Sequence, residues 1–354
     1  MLRKGTSLVL FASLLLLMFS FADADVIKLK FANYYSPTHL NSVIFEKYCQ
    51  ELNKKLAGKA EITYFTGSTL LSATKVASGV AHGIADIGLA NLSYTRGLFP
   101  VMEAMDLPLG FPSGWVASHV ANDFYNKFKP KELNAYHVLM FTTCPLNVLT
   151  TMKPVKTLED LKGQKIRGTG RLGDIVKALG GTPVPIEWGD IYDSLRKGVI
   201  SGTILPLETM KGTNSGEVLK YVTSAWRIGS VYTFYVLMNK KKWDSLPPDV
   251  QKTITEYNTG FLEQWPAEWN KIDFEGLEFF KKNGGQIVTV TEAEIARWVK
   301  AMDPILEAYK KELMSKGYKS DEVDSWFKFI RERIEYWKGQ QKAKNIPFPL
   351  PVTY

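Results

Sequence analysis

Cysteine and histidine are scarce in this 354-residue chain, at two and four residues. Cys49 and Cys144 are too few for a disulfide framework, and His39, His82, His119 and His137 add no closely spaced set that could hold zinc. Cys49 falls on the apolar face of a helical pattern and reads as a buried thiol, although export would be compatible with one bond to Cys144. Also missing are an H-E-x-x-H pair, a G-x-S-x-G elbow, a C-x-x-C pair, a Walker A loop and the Ser/Lys set of the penicillin-binding kind. Those absences argue against metal, nucleophile and nucleotide chemistry, and the chain is expected to use no cofactor. After Phe21 no apolar run approaches the roughly 20 residues that span a bilayer.

What is present starts at the N-terminus. Arg3 and Lys4 precede an apolar stretch from Leu8 to Phe21, which ends in Ala22-Asp23-Ala24. This pattern predicts a leader over residues 1–24, cleavage before Asp25 and a periplasmic mature chain. No cysteine stands at the cleavage point to carry a lipid, so no stable membrane insertion of the mature chain is expected. The net charge of +8 could attract an anion, but export argues against nucleic acid as a partner. Lys240, Lys241 and Lys242 then read as a solvated run.

The full sequence has 45% apolar residues, and the mature chain is long enough for two domains. Ile27, Leu29 and Phe31 alternate with Lys28 and Lys30, predicting a strand with one buried face. Phe45, Tyr48, Cys49, Leu52 and Leu56 have helical spacing, and Gly58 is expected to stop that helix. A strand over Ile62–Phe65, a helix over Ala73–Gly83 and a strand over Ile84–Ala90 complete a β-α-β-α-β unit, which implies a parallel sheet. The same grammar resumes at Lys153, and the echo of Gly79-Val80-x-x-Gly83 in Gly198-Val199-x-x-Gly202 suggests repetition. The prediction is an α/β protein of two lobes: 25–145 with about 232–270, and 146–231 with about 271–354. A long helix over Val250–Lys282 would brace both lobes, followed by helices over Glu292–Lys316 and Ser320–Lys338 and a proline-rich tail over Pro347–Tyr354.

Gly168-Thr169-Gly170-Arg171-Leu172-Gly173 satisfies the G-x-G-x-x-G dinucleotide pattern. The preceding Lys165-Ile166-Arg167 is too short and too charged for a buried Rossmann strand, so these glycines read as backbone accommodation beside a ligand or hinge. Arg167 carries more information. It falls where a strand ends and a helix begins, the edge at which open α/β sheets bind ligands, and a guanidinium there can grip a carboxylate with two parallel hydrogen bonds. Glu187 and Asp190 sit at a helix start and read as dipole partners, not as an acid/base pair. Tyr34, Tyr35, Tyr94, Trp188, Tyr232, Phe234 and Tyr235 are candidates to line a pocket.

Several of these segments coincide with one family. "LKFANYYSPTHLNS", "GSTLLSATKVASGVAHGIADIGLA", "MDLPLGF", "KPVKTLEDLKGQKIRGTG" and "ALGGTPVPIEWGDIYDSLRKGVISGTILP" together resemble the solute-binding proteins of tripartite ATP-independent periplasmic (TRAP) transporters, the DctP-like family. The resemblance spans essentially the whole mature chain. It implies the two-lobed flytrap architecture of periplasmic binding proteins, with crossing hinge segments and a long bracing helix, and a binding rather than an enzymatic role. It also implies a small organic acid ligand held by Arg167, and small and large membrane subunits as partners. Trp188 takes the place of a residue that packs on the ligand, while Tyr34, Tyr35, His39, Asn91 and Tyr94 match other cleft-lining regions. Two positions depart from the family pattern: Asn147 stands where many members have a second arginine, and Leu205 where many have asparagine. Losing a cation and an amide favours a monocarboxylate with an apolar or aromatic body, stacked among Trp188, Tyr232 and Tyr235, over a C4-dicarboxylate or polar acid. An exported sensor or an enzyme on the same scaffold are the alternative readings.

Overall fold

The computed structural model describes residues 25–347, so the expected leader and the tail beyond Pro347 lie outside the described residues. Strand β1 (Ile27–Asn33) leads to helix α1 (Leu40–Leu56), which begins where His39 Nδ1 accepts the Asn41 N–H. Ala57 takes the left-handed cap that Gly58 was expected to supply, and Gly58 follows it with positive φ. Phe45, Tyr48, Cys49, Leu52 and Leu56 are buried together, as their spacing predicts. Then come β2 (Ala60–Phe65), α2 (Val76–Ala81), the fully buried β3 (Ile87–Asn91), α3 (Gly114–Phe128) and β4 (Tyr136–Thr143).

The chain crosses over through residues 144–147 and continues with β5 (Val148–Thr151), β6 (Lys165–Arg167), α4 (Arg171–Ala178), β7 (Thr182–Val184), α5 (Ile191–Arg196) and β8 (Gly202–Leu205). The short α6 (Thr209–Gly212) and β9 (Tyr221–Thr223) precede a second crossing, after which β10 (Thr233–Asn239) returns to the first sheet. The remainder is α7 (Lys240–Asp244), α8 (Pro248–Lys282), β11 (Gln286–Val288), α9 (Glu292–Lys300), α10 (Asp303–Ser315) and α11 (Ser320–Ala343).

Two sheets result, ordered β2-β1-β3-β10-β4 and β11-β9-β5-β8-β6-β7. The β-α-β units are parallel, as expected: β1 pairs in parallel with β2 and β3, and β6 with β7 and β8. Neither sheet is purely parallel, because strands next to the crossings enter the other way round. β10 is antiparallel to β3 and β4, and β5 to β8 and β9. The crossings are tied together by Cys144 N–H to Tyr232 O at 3.1 Å and Asn147 N–H to Ser230 O at 2.9 Å. This two-stranded ribbon is the hinge between the lobes.

Helix α8 runs 35 residues, about 52 Å. It packs on α1, α3 and β4 of the first lobe and on α6 of the second, so it is the expected brace. Three expectations are corrected. The predicted helix over Glu292–Lys316 breaks into α9 and α10, where Pro304 sits in the first turn of α10 and cannot continue a helix from before it. Residues 271–354 also do not all go with the second lobe: α10 packs on α4, but α11 folds back onto α3 of the first. The Gly-Val-x-x-Gly echo is not structural either. Gly198 directly follows the cap of α5 with positive φ, whereas its counterpart Gly79 lies inside α2 and Gly83 has that role.

Candidate ligand-binding cleft

Lys165-Ile166-Arg167 forms β6, inside the second sheet, and its last residue reaches the space between the lobes. Arg167 is 2% exposed. Its Nε donates to Ile186 O at 3.1 Å and its Nη1 to Tyr232 Oη at 2.9 Å. Among the described residues no carboxylate forms an ion pair with it. Burial opposes its charge, but the Tyr232, Tyr94 and Tyr34 oxygens outweigh that and hold its pKa above the usual arginine value. Burial likewise raises the Tyr34 and Tyr94 phenols, against the pull of Arg167.

Around Arg167 lies a narrow, nearly closed cleft whose free space, about 10 Å³, is that of a single water molecule. Tyr34, Tyr35, Asn91, Tyr94 and Phe234 line it from the first lobe, Arg167, Trp188, Leu205, Pro206 and Glu208 from the second, and Cys144 and Tyr232 from the hinge. Tyr34 and Tyr35 stack at 4.4 Å, and the Trp188 ring stands edge-on to Tyr35 at 5.1 Å across the lobe boundary. The lobes also touch beside the cleft, where Ser93 Oγ and Thr169 Oγ1 share a hydrogen bond at 3.0 Å. At Gly170, with φ +55°, a Cβ would lie 2.7 Å from Ser93 Cα. The central glycine of the G-x-G-x-x-G pattern therefore permits lobe contact, in keeping with backbone accommodation.

Three of the candidate residues stand apart from the lining. His39 lies one layer back, its ring stacked on Tyr35 at 4.0 Å and edge-on to Trp188 at 5.1 Å. Asn147 is buried behind Cys144, whose thiol donates to Asn147 Oδ1 at 3.7 Å. Tyr235 is displaced outright. Successive side chains of a strand face opposite ways, so Phe234 enters the cleft and Tyr235 packs behind the sheet against Phe99 at 5.6 Å. Glu187 and Asp190 take no part in the lining. The two thiols, Cys49 and Cys144, are both buried and free. Glu208 was missed; it follows a Leu-Pro pair in a short loop, where no periodicity marks it.

A wider depression of about 740 Å³ lies among Phe111, Trp226, Ile295 and Val299. Its Arg227 is exposed and already paired with Glu292, so it offers no buried charge to a ligand. Among the described residues no group of His, Cys, Asp and Glu could hold a metal ion, and no helix is long and apolar enough to cross a membrane.

The model of the family described as bacterial extracellular solute-binding protein, family 7 (DctP) matches residues 31–312. The chain belongs to this family. Among solved structures, this family-7 chain is similar to a TRAP periplasmic solute-binding protein from Desulfovibrio salexigens, with 31% identity, TM-score 0.78 and coverage of 89% of this chain and 98% of that one. That protein is an open complex with the C-terminus of a symmetry mate in its ligand-binding site. A marine metagenome TRAP solute-binding protein specific for aromatic acids, in complex with 3-hydroxybenzoate, shares the fold at TM-score 0.81 and 23% identity, over 88% of this chain and 98% of that one. The C4-dicarboxylate-binding periplasmic protein DctP of Vibrio cholerae is 24% identical over 305 residues, 82% of this chain and 89% of that protein. These relatives are binding proteins of TRAP transporters, not enzymes, and the family is extracytoplasmic. The two-lobed architecture and the solute-binding role that the sequence resemblance implied are thereby established.

Proposed function

We propose that this solute-binding protein captures an organic monocarboxylate with an apolar, aromatic body and delivers it to the small and large membrane subunits of a TRAP transporter. The observation that carries the reading is Arg167, a guanidinium 2% exposed and without a carboxylate partner. A buried cation without a counter-ion costs several kcal/mol, which an incoming carboxylate offsets through paired, charge-assisted hydrogen bonds. Tyr34, Tyr35, Trp188 and Phe234 offer ring faces and edges to the ligand body, and Leu205 adds an apolar wall. Once the lobes part to admit it, burying about 150 Å² of an aromatic ligand there is worth ~4 kcal/mol before the costs of opening and association. The aromatic-acid specificity of the marine protein supports this class.

Closure follows from where the contacts come from. A ligand touching Arg167 and Trp188 on one lobe and Tyr34 and Tyr94 on the other binds the closed state better than the open one, and so shifts the population toward it. In this reading residues 1–24 direct export and are removed, and the membrane subunits, not this chain, supply the energy for transport. Native mass spectrometry of the purified protein, followed by thermal-shift screening, tests the ligand class. Aromatic or branched monocarboxylates should raise the melting temperature; stabilisation by C4-dicarboxylates alone would refute it.

A further inference from the structure

The cleft contains a second buried charge, of opposite sign. Glu208 is 1% exposed and lines the cleft opposite the first-lobe residues, three positions beyond the end of β8. Its Oε2 is enclosed and makes no hydrogen bond. The nearest basic side chain is His39, with Nε2 3.4 Å away. His39 Nδ1 already accepts the Asn41 N–H, so it is the Nε2 side of the ring that faces the carboxylate. Even so, a carboxylate has about four acceptor positions, and one misaligned imidazole leaves capacity unused.

The surroundings fix this carboxylate in place. The Glu208 N–H donates to Asp273 Oδ1 of α8 at 2.8 Å, and Glu208 O accepts from the N–H groups of Lys211 and Gly212. A Cβ on Gly212 would come within 3.1 Å of Oε2, so the space occupied by the carboxylate depends on that glycine. The cleft is polarised as a result. Arg167 acts on Tyr34 and Tyr94, whereas Tyr35 and Cys144 are raised first by burial and further by Glu208.

We propose that Glu208 is a specificity-determining acceptor, and that the ligand carries an O–H or N–H donor at the end remote from its carboxylate. The inference rests on the proposed grip of Arg167 on that carboxylate. The class is then a hydroxy- or amino-substituted carboxylic acid. A second carboxylate placed there would face Glu208 and be repelled, while a hydroxyl or ammonium group would donate to the Glu208 carboxylate.

Calorimetric titration of the whole protein with matched acids tests this. The probes are benzoate against 3-hydroxybenzoate and 3-aminobenzoate, and phenylacetate against 3-hydroxyphenylacetate. At least one donor-bearing acid should bind the unmodified protein about tenfold or more tighter than its unsubstituted parent. Glu208→Gln and Glu208→Ala should narrow that ratio to about threefold or less. Equal affinities across every pair, no binding by any donor-bearing member, or a ratio that survives both substitutions would overturn the proposal. Arg167→Ala separates the two readings, because it should weaken every acid irrespective of the donor. Retained binding in that variant would overturn the carboxylate anchor, and with it the assignment of ligand ends on which the Glu208 role depends.

Discussion

Arg171 Nε donates to Glu103 Oε2 at 2.8 Å, joining the start of α4 in the second lobe to a first-lobe segment. Both side chains are buried, and Arg171 also holds Glu312 of α10 through two bonds, at 2.6 and 3.0 Å. The hydrogen bond to Arg171 draws the Glu312 carboxyl down to about 2, whereas burial outweighs Arg171 at Glu103 and leaves that group raised. Alongside, Arg96 of the first lobe pairs with Asp174 at 2.8 Å. This cluster fastens the lobes at one edge of the cleft.

Breaking it would leave Glu103 buried without its cation. Arg171→Ala is predicted to cost about 3 kcal/mol or more of stability and to increase the ligand-free radius of gyration in X-ray scattering. An unchanged unfolding midpoint together with an unchanged scattering profile would rule out the fastening role.

At the anchor, Arg167→Lys keeps the charge but loses the planar fork that grips two oxygens. Affinity for a monocarboxylate should fall about tenfold or more, equivalent to ~1.4 kcal/mol, and further for Arg167→Ala. Titration calorimetry measures the loss, and circular dichroism should show the fold intact in both variants.

Asp106 predicts a pH dependence. It is fully buried, accepts the Thr233 N–H at 2.7 Å at the start of β10, and is pushed by burial from 3.8 up to about 8. A carboxyl whose pKa is raised in the folded state binds its proton more tightly there than when unfolded. Its stabilising contribution is therefore fully present below about pH 4 and is lost as pH rises through about 8. Asp106→Asn retains the acceptor and removes the ionisation. Melting curves from about pH 5 to about pH 9 should fall less steeply for the variant; parallel curves would show that Asp106 does not set the slope.

Gly276 lies in α8 against the loop that carries Glu208. A Cβ there would sit 2.1 Å from Leu207 O, backbone that cannot swing aside. Gly276→Ala should destabilise by about 2 kcal/mol and also weaken ligand binding, because the loop must shift to admit the methyl group. Loss of stability with unchanged affinity would show that the loop position does not control the site.

Much of this architecture could be read from side-chain periodicity. The face of α1 and the strands of both β-α-β units follow from local spacing, and Arg167 was recognisable because a lone guanidinium closes a short charged strand. Other features depend on distant contacts. β10 is buried along nearly its whole length, so no polar alternation distinguished Phe234 from Tyr235. The direction of β10 depends on the chain crossing between lobes, and the seat of α11 on α3 depends on which surface the rest of the fold leaves open. Glu208 occupies a short loop whose importance comes from its neighbours across the cleft, which nothing in its own segment records.

The depth of Arg167 also acts as a filter on hydration. Any anion reaching that guanidinium must leave most of its water shell at the mouth of the cleft, and the penalty is greatest for small ions that hold water strongly. Sulfate and phosphate should therefore compete poorly for the site even in large excess, an outcome that competition titration can refute. A carboxylate on an aromatic ring gives up far less water over most of its surface. The protein can thus discriminate organic from inorganic anions before any contact with the ligand body is tested.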